Sequence, residues 1–524
     1  MYEGMIELKK QMLKFTAAII CLIIAFCGCN KEENKKAATP IVDESAVISL
    51  QMRQSTSFNP LSQTHHSVRD VFFLCYEPLF TFDTNLMAEG VLAENIALSD
   101  DCLSAVITLK DSITWHDGVK FTSADVVHTV NLIKENPQWE YYYECVKYIS
   151  TVTAIDATSV KITLSRPYAQ LAHSLYFHIV ASHNDSIEEN MIGTGPYQFE
   201  KYTPAASMEF KSFSKWHGGQ AICGKVNVSI IRENEIATTA FNTNLLHAVT
   251  SDSFDLENTV PKAYSKTNSY PSNEYEFIDF NHNNEALASQ ALRNAISSAI
   301  DRETLAAECY AANAQPANTP VHPSAKNYSN GAGMSEYSLV NAQELLFLEG
   351  YTKDEKSGIL TNSEGEKLSF SMLVNKENQT RVRCAQKLCQ QLFSAGIEIN
   401  VLQTDFEDYL SKIENGEYDM YIGGIKLANI YDYEALLSTW GELNTYGYSG
   451  EDMENALAAL SSSPTKDSFS DAIFNFEEVF LREQPVCGLV FYKDVLITNP
   501  SIEGKRDPRI NYPYKNLSGW SIKK

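Results

Sequence analysis

The chain is poor in positive charge. Its 524 residues hold 42 Lys and Arg against 66 Asp and Glu, a formal net charge of −24 at pH 7. A field of that sign repels phosphate backbones and anionic headgroups, so nucleic acid and acidic lipid surfaces are poor partners for the body. The short motifs of catalysis are missing too: there is no GxSxG elbow, no HExxH, no phosphate-binding loop and no Cys-His signature. No internal repeat or low-complexity tract occurs. Eight cysteines lie beyond the N-terminal region (Cys75, Cys102, Cys145, Cys223, Cys309, Cys384, Cys389 and Cys487), none of them in a CxxC pair. Their scatter resembles neither a zinc site nor a small disulfide scaffold, although an even number leaves disulfides open. Cys389 shares helical spacing with Ala385, Leu388 and Leu392 and reads as core. These absences disfavour an enzyme, a resident metal and a cofactor.

What the chain does have is enough apolar matter for several cores. Hydrophobic residues make up 44%, with 27 Tyr and 25 Phe, and the length suits two or three lobes at roughly 100–200 residues each.

The N-terminus carries a targeting pattern. Lys9, Lys10 and Lys14 precede an apolar run from Phe15 to Gly28, which falls short of the ~20 residues of a membrane span. The run closes on Phe26-Cys27-Gly28-Cys29 and is followed by polar Asn30 to Lys36. A basic region, an apolar core and a small residue before a cleavage point describe a secretory signal over residues 1–28. The cysteine after Gly28 makes it similar to a bacterial lipoprotein signal with Cys29 lipid-bearing. Cys27 is the poorer candidate, because bulky Phe26 would occupy the cleavage position. Met1, Met5 and Met12 each stand as candidate starts. Residues 29–46 show no periodicity and read as a flexible tether reaching ~20 Å.

Further along, Leu368, Phe370, Met372 and Val374 alternate as in a half-buried strand. Residues 380–395 have helical periodicity and stop at Gly396, a natural C′ residue. Ile397, Ile399 and Val401 alternate again. Asp405 then starts a helix with Phe406, Tyr409, Leu410 and Ile413 on one face, ended by Gly416, and Tyr418 to Ile425 reads as a third strand. This β-α-β-α-β order predicts a parallel sheet, whose ligands bind beyond the carboxyl ends of the strands, here near Leu427 to Asp432. Thr122 and Asp125 suit a helix start, as does Asp301.

Several motifs then resemble one family. Ser57-Phe58-Asn59-Pro60-Leu61 and Tyr76-Glu77-Pro78-Leu79 come first, followed by Trp115-His116-Asp117-Gly118 running on to Val127. Gly193-Thr194-Gly195-Pro196-Tyr197 with Trp216 comes next, and then Leu292-Arg293-Asn294-Ala295 with Asp301-Arg302-Glu303. In this order over about 47–520 they are similar to the family 5 extracellular solute-binding proteins of ABC importers, which take oligopeptides, dipeptides or nickel. The resemblance implies a periplasmic-binding-protein-like α/β fold of hinged lobes, with mixed or parallel sheets flanked by helices and an extra smaller lobe. Lobe I would combine 47–65, 185–275 and 490–524, lobe II would span 66–184, and lobe III 276–489. Most motif residues, Trp115, His116 and Asp117 among them, read as scaffold.

The resemblance also implies the ligand walls. In peptide binders a main-chain strand runs beside the peptide, and the matching segment is Ile425-Lys426-Leu427. Thr64-His65-His66 would form the second wall. Where those binders place an Asp that pairs with the ligand's α-ammonium, this chain has Asn429, with Asp432 three residues on. Either Asp432 takes over or the ligand lacks a free amino group there, and both residues also suit turns. Vicinal histidines alone make no chelating face, so a nickel or metal complex is the alternative ligand, and a peptide-sensing receptor the alternative role. The expected partners are a peptide, the permease and ATPase subunits of an importer, and the membrane through a lipid. The protein is expected as a monomer on the extracytoplasmic face. Replacing Cys29 with Ala should abolish metabolic lipid labelling and release the protein; labelling that persists in Cys29→Ala would move the anchor to Cys27.

Overall fold

A computed structural model describes residues 42–55, 57–251, 265–325, 337–445 and 447–523. The expected signal segment and Cys29 lie outside them, as does the expected tether up to Ile41. Strand β1 (Asp43–Met52) begins inside the expected tether and buries Ile48, Leu50 and Met52 on alternate positions. It pairs in parallel with Cys223–Ile230, and Ser207–Ser212 and Tyr197–Thr203 complete a four-stranded sheet by antiparallel pairing. Helix α1 (His66–Phe72) follows β1, with the His65 side chain accepting from Ser67 N at its N-cap. A second four-stranded sheet is antiparallel throughout: Ala93–Leu98, Ser104–Leu109, Ser159–Leu164 and Ile149–Asp156. The helix Ser123–Lys134 packs on it, its start fixed by Thr122 N donating to Asp125 Oδ2 at 2.9 Å.

The recurrent motifs are joints between these parts. Trp115 is fully buried and its indole N–H donates to Asp125 at 3.3 Å. His116 Nε2 bonds the Gly195 carbonyl at 3.0 Å, and Gly195 N donates to Cys75 O at 2.8 Å. Gly193 and Gly195 are glycine because any Cβ there would collide with the Cys75 carbonyl. Buried Glu77 accepts from Trp216 Nε1 at 3.0 Å and pairs with His217 at 2.9 Å.

The largest sheet has seven strands. Its centre is β2 (Lys266–Phe280). After β2 come helices α2 (Gln290–Ser298) and α3 (Arg302–Glu308), the latter capped by Asp301 accepting from Thr304 N at 3.0 Å. The expected β-α-β-α-β run is present as β3 (Ser369–Asn375), α4 (Gln379–Ser394), β4 (Glu398–Thr404), α5 (Phe406–Asn415) and β5 (Met420–Lys426). Gly396 and Gly416 take φ of 91° and 69°, the left-handed values that end a helix at little cost. β3 runs parallel to both β4 and β5. The sheet is mixed, however, because β2 pairs antiparallel with β5 on one side and with β6 (Val486–Thr498) on the other. Ala248–Ser251 extends it beyond β6.

The two motif arginines pin this layer. Buried Arg293 donates to the carbonyls of Leu287, Ala288, Glu483 and Gln484, and buried Arg302 to those of Ser297, Ile300 and Gly488. All eight body cysteines are free thiols.

Asp279, on β2, accepts from Tyr421 O–H at 2.9 Å in a buried position. Burial pushes its carboxyl up to about 7. The folded state therefore binds a proton that the unfolded state releases near pH 4, and stability falls as pH rises from about 4 through about 7. Asp279→Asn keeps an acceptor for Tyr421 and should raise the melting temperature above pH 7 while flattening that slope. An unchanged slope would mean that Asp279 does not titrate in this range.

Candidate functional site

β3 holds β5 only at Met420 and Tyr421, and the Ile422 carbonyl is taken by Tyr409 O–H at 2.9 Å. From Gly423 to Lys426 the edge of β5 away from β2 has no strand partner among the described residues. Arg381, in the first turn of α4, lies along that edge. A Cβ at Gly424 would strike its guanidinium, so the glycine makes room for the arginine. Arg381 Nε pairs with fully buried Glu276, whose other oxygen accepts from Tyr492 O–H at 2.8 Å. The guanidinium is thereby fixed before any ligand arrives.

Beside this edge is an open pocket of about 440 Å³ lined by Glu274, Asn378, Thr380, Arg381, Ile425 and Lys426, among others. Asn378 is the N-cap of α4, so the pocket also meets the positive end of a 16-residue helix. Lys426 pairs with Glu274 at 3.1 Å.

Lys426 lines a second cavity as well, with room for only one or two waters, facing His66, Arg69, Asp70, Tyr270 and Asp494. The expected second wall is thus opposite β5 at His66. His66 Nδ1 is 3.5 Å from Asp70, which also accepts from Thr250 at 3.2 Å. Arg69 lies 4.0 Å over the Tyr141 ring and donates to the Thr64 carbonyl. Thr64 is exposed and meets Arg69 through its backbone carbonyl; His65 caps α1. The structure brings Ile425, Lys426 and His66 to the cavities. Leu427 is spoken for: its N–H donates to Asn273 O at 3.0 Å and its carbonyl accepts from Asn273 Nδ2 at 2.6 Å.

Asn429 and Asp432 stand elsewhere. Asn429 is buried, and its Nδ2 donates to Tyr168 O–H at 2.8 Å, Gln170 O at 3.1 Å and Ser174 Oγ at 3.0 Å, while its Oδ1 accepts from Tyr431 N at 3.0 Å. Asp432 accepts from Tyr168 O–H at 3.4 Å; burial pushes its carboxyl up, partly offset by Lys147 and Arg166. Arg166 pairs with Glu434 alongside. The loop after β5 is therefore a clamp on residues 166–174. Arg381, Glu274 and Glu276 were not singled out from the sequence; the Gly423-Gly424 pair just before Ile425 was the one local signal that something packs closely there.

A strand edge left open, fixed charges and a helix terminus around one pocket make a fold built to hold a solute. The profile of bacterial extracellular solute-binding proteins, family 5 (middle region), matches residues 88–447, and the chain belongs to that family. It is 22% identical to the oligopeptide-binding protein AppA of Bacillus subtilis over 98% of each chain. It is 23% identical to the glutathione-binding protein GsiB of Salmonella paratyphi A, covering 89% of this chain and 93% of that one. Among solved structures, NikZ from Campylobacter jejuni in complex with Ni(L-His) has the same fold, with a TM-score of 0.66 at 22% identity over 92% of this chain and 100% of that one. No helix among the described residues is long and apolar enough to cross a membrane.

Asn429→Asp tests the clamp. The substitution removes a donor shared by three acceptors and buries a carboxylate against the Gln170 carbonyl, which should cost about 1–3 kcal/mol of stability in thermal or denaturant unfolding. Unchanged unfolding together with tighter binding of free-amino peptides would instead put Asn429 against the ligand.

Proposed function

We propose that this protein is a lipid-anchored, monomeric carrier on the outer face of the cell membrane that captures a short peptide in this cleft and delivers it unchanged to the permease of an ABC importer. The observation that carries the reading is the open edge of Gly423–Lys426 beside the pre-fixed Arg381. A peptide main chain can extend the sheet there, which gives affinity without reading side chains. Its terminal carboxylate would meet Arg381 and the N-terminus of α4, where charge-assisted bonds are strongest. The oligopeptide- and glutathione-binding relatives support the same ligand class. A bare metal fits less well, because His65 is committed to capping α1 and His66 to Asp70.

The three lobes expected from the sequence are part of this proposal, with ligand enclosed between lobes I and III by hinge closure. Support comes from β2 and β6, whose long ladder joins the strand Ala248–Ser251 at one end to β5 at the other. Calorimetry with one peptide, free and C-terminally amidated, is the test. Amidation should weaken binding to the wild type about tenfold or more, as for loss of a hydrogen bond to a charged group. It should matter little to Arg381→Ala, with Arg381→Lys intermediate. Failure of the wild type to bind any peptide of a mixed library would remove the peptide assignment.

A further inference from the structure

The face of β2 and β5 beside the open pocket carries two ion pairs in adjacent positions. In the antiparallel ladder Glu274 is opposite Lys426 and Glu276 is opposite Gly424. Positions two apart on a strand share a face, so the two acidic residues point the same way, roughly 7 Å apart at about 3.4 Å of rise per residue. Lys426 pairs with Glu274 at 3.1 Å, and Arg381 pairs with Glu276, taking the room left by the missing side chain of Gly424.

The two pairs are not equivalent. Glu276 has no exposed surface and also accepts from Tyr492 O–H, so what its pair presents to the pocket is the guanidinium. Asn378 strengthens this cationic end, because its side chain accepts from Arg381 N at 3.0 Å and caps α4, whose positive terminus the pocket meets. At the other end the side chains of Glu274 and Lys426 are 34% and 36% exposed, so the carboxylate reaches the pocket as well as its partner. Lys426 also borders the small cavity together with Asp494, which sets one ammonium between two carboxylates. The pocket is cationic at Gly424 and has carboxylate to spare at Lys426.

Resting on the peptide reading of this cleft, we propose that Glu274 is a specificity-determining residue that holds the ligand's α-ammonium, so that the peptide taken is two or three residues long with its carboxylate on Arg381. An extended chain spans at most about 3.3–3.6 Å per residue, which puts the charged ends of a dipeptide about 7 Å apart, those of a tripeptide about 10 Å and those of a hexapeptide about 20 Å. Only the first two match the spacing of the ion pairs within the reach of their side chains. Glu274 thereby supplies the ammonium partner that Asn429 cannot be, since the Asn429 amide is taken by Tyr168, Gln170 and Ser174. When the ligand's ammonium joins Glu274, Lys426 keeps Asp494 beside it, and no charge is stranded without a counter-charge.

Calorimetry with alanine peptides of two to six residues, each with a free and an acetylated amino terminus, tests this on the wild type, Glu274→Gln and Glu274→Asp. Dialanine and trialanine should bind the wild type about tenfold or more tightly than hexa-alanine. Acetylation should weaken trialanine about tenfold or more in the wild type and in Glu274→Asp, and roughly threefold or less in Glu274→Gln, as for a hydrogen bond that has lost its charged partner. Carboxyl-terminal amidation should still weaken binding to Glu274→Gln, because Arg381 is untouched. Equal binding of free and acetylated trialanine by the wild type, an undiminished acetylation penalty in Glu274→Gln, or hexa-alanine binding as tightly as dialanine overturns the proposal. A wild type that binds peptides of a mixed library but none of two or three residues overturns it while the peptide reading stands; one that binds no peptide at all overturns both. Should a Glu274 variant fold poorly, the length and acetylation series on the wild type decide by themselves.

Discussion

The antiparallel pairing of β2 with β6 is what the rest of the molecule hangs on. The ladder runs from Lys266 opposite Thr498 to Pro271 opposite Lys493, breaks, and resumes from Tyr275 opposite Phe491 to Asp279 opposite Val486. Pro271 has no N–H to give, so a register break next to it loses little hydrogen bonding. Between the two stretches Ser272, Asn273 and Glu274 leave the ladder. Asn273 turns its amide to the Leu427 backbone and stops β5, and Glu274 turns to Lys426. One irregularity thus fixes where β5 ends. The small cavity at Tyr270 and Asp494 is on one side of the break, the open pocket at Glu274, Tyr275 and Tyr492 on the other, and Lys426 borders both.

Charge is handled differently at the scaffold and at the site. Arg293 and Arg302 are buried among carbonyl oxygens, which solvate the guanidinium through many hydrogen bonds and lock α2 and α3 to the start of β6. Arg381 has the opposite arrangement: Glu276 neutralises one side of it, and the other side lies along an open strand edge. In a protein of net charge −24, long-range steering of anions is unfavourable, so a local, pre-oriented cation is what can hold an anionic group here. Glu276, fully buried, and Tyr492, which itself lines the pocket, therefore position Arg381.

The parts of the fold legible in the sequence were those whose cause is local. β3 to β5 and the helices between them announced themselves by alternation, helical period and the two terminating glycines, because each element buries one face and ends at a residue chosen for positive φ. The motif residues read as scaffold, and His116 and Glu77 do join segments far apart in the chain. β2 was not legible. Its 15 residues contain Pro271, which argues against a central strand, and its partner β6 is more than 200 residues away, so nothing in a local window reports the pairing.

The site shows the same limit more sharply. Ile425, Lys426 and His66, named from the sequence, border the two cavities, since a strand end and the segment opposite it can be placed by order along the chain. Arg381 could not be, since on α4 it is one polar position among several and gains its role from the missing Cβ of Gly424 on another strand. Asn429 shows the converse. The family resemblance implied a ligand contact there, with a turn role as the alternative, and its amide is filled by Tyr168, Gln170 and Ser174, residues about 260 positions earlier. A loop amide whose hydrogen bonds are filled by the protein has little left to offer a solute, whereas a strand edge without a strand partner among the described residues can take water or a ligand. That difference in hydrogen-bonding capacity between Asn429 and Gly423–Lys426 is visible only once the distant segments are brought together.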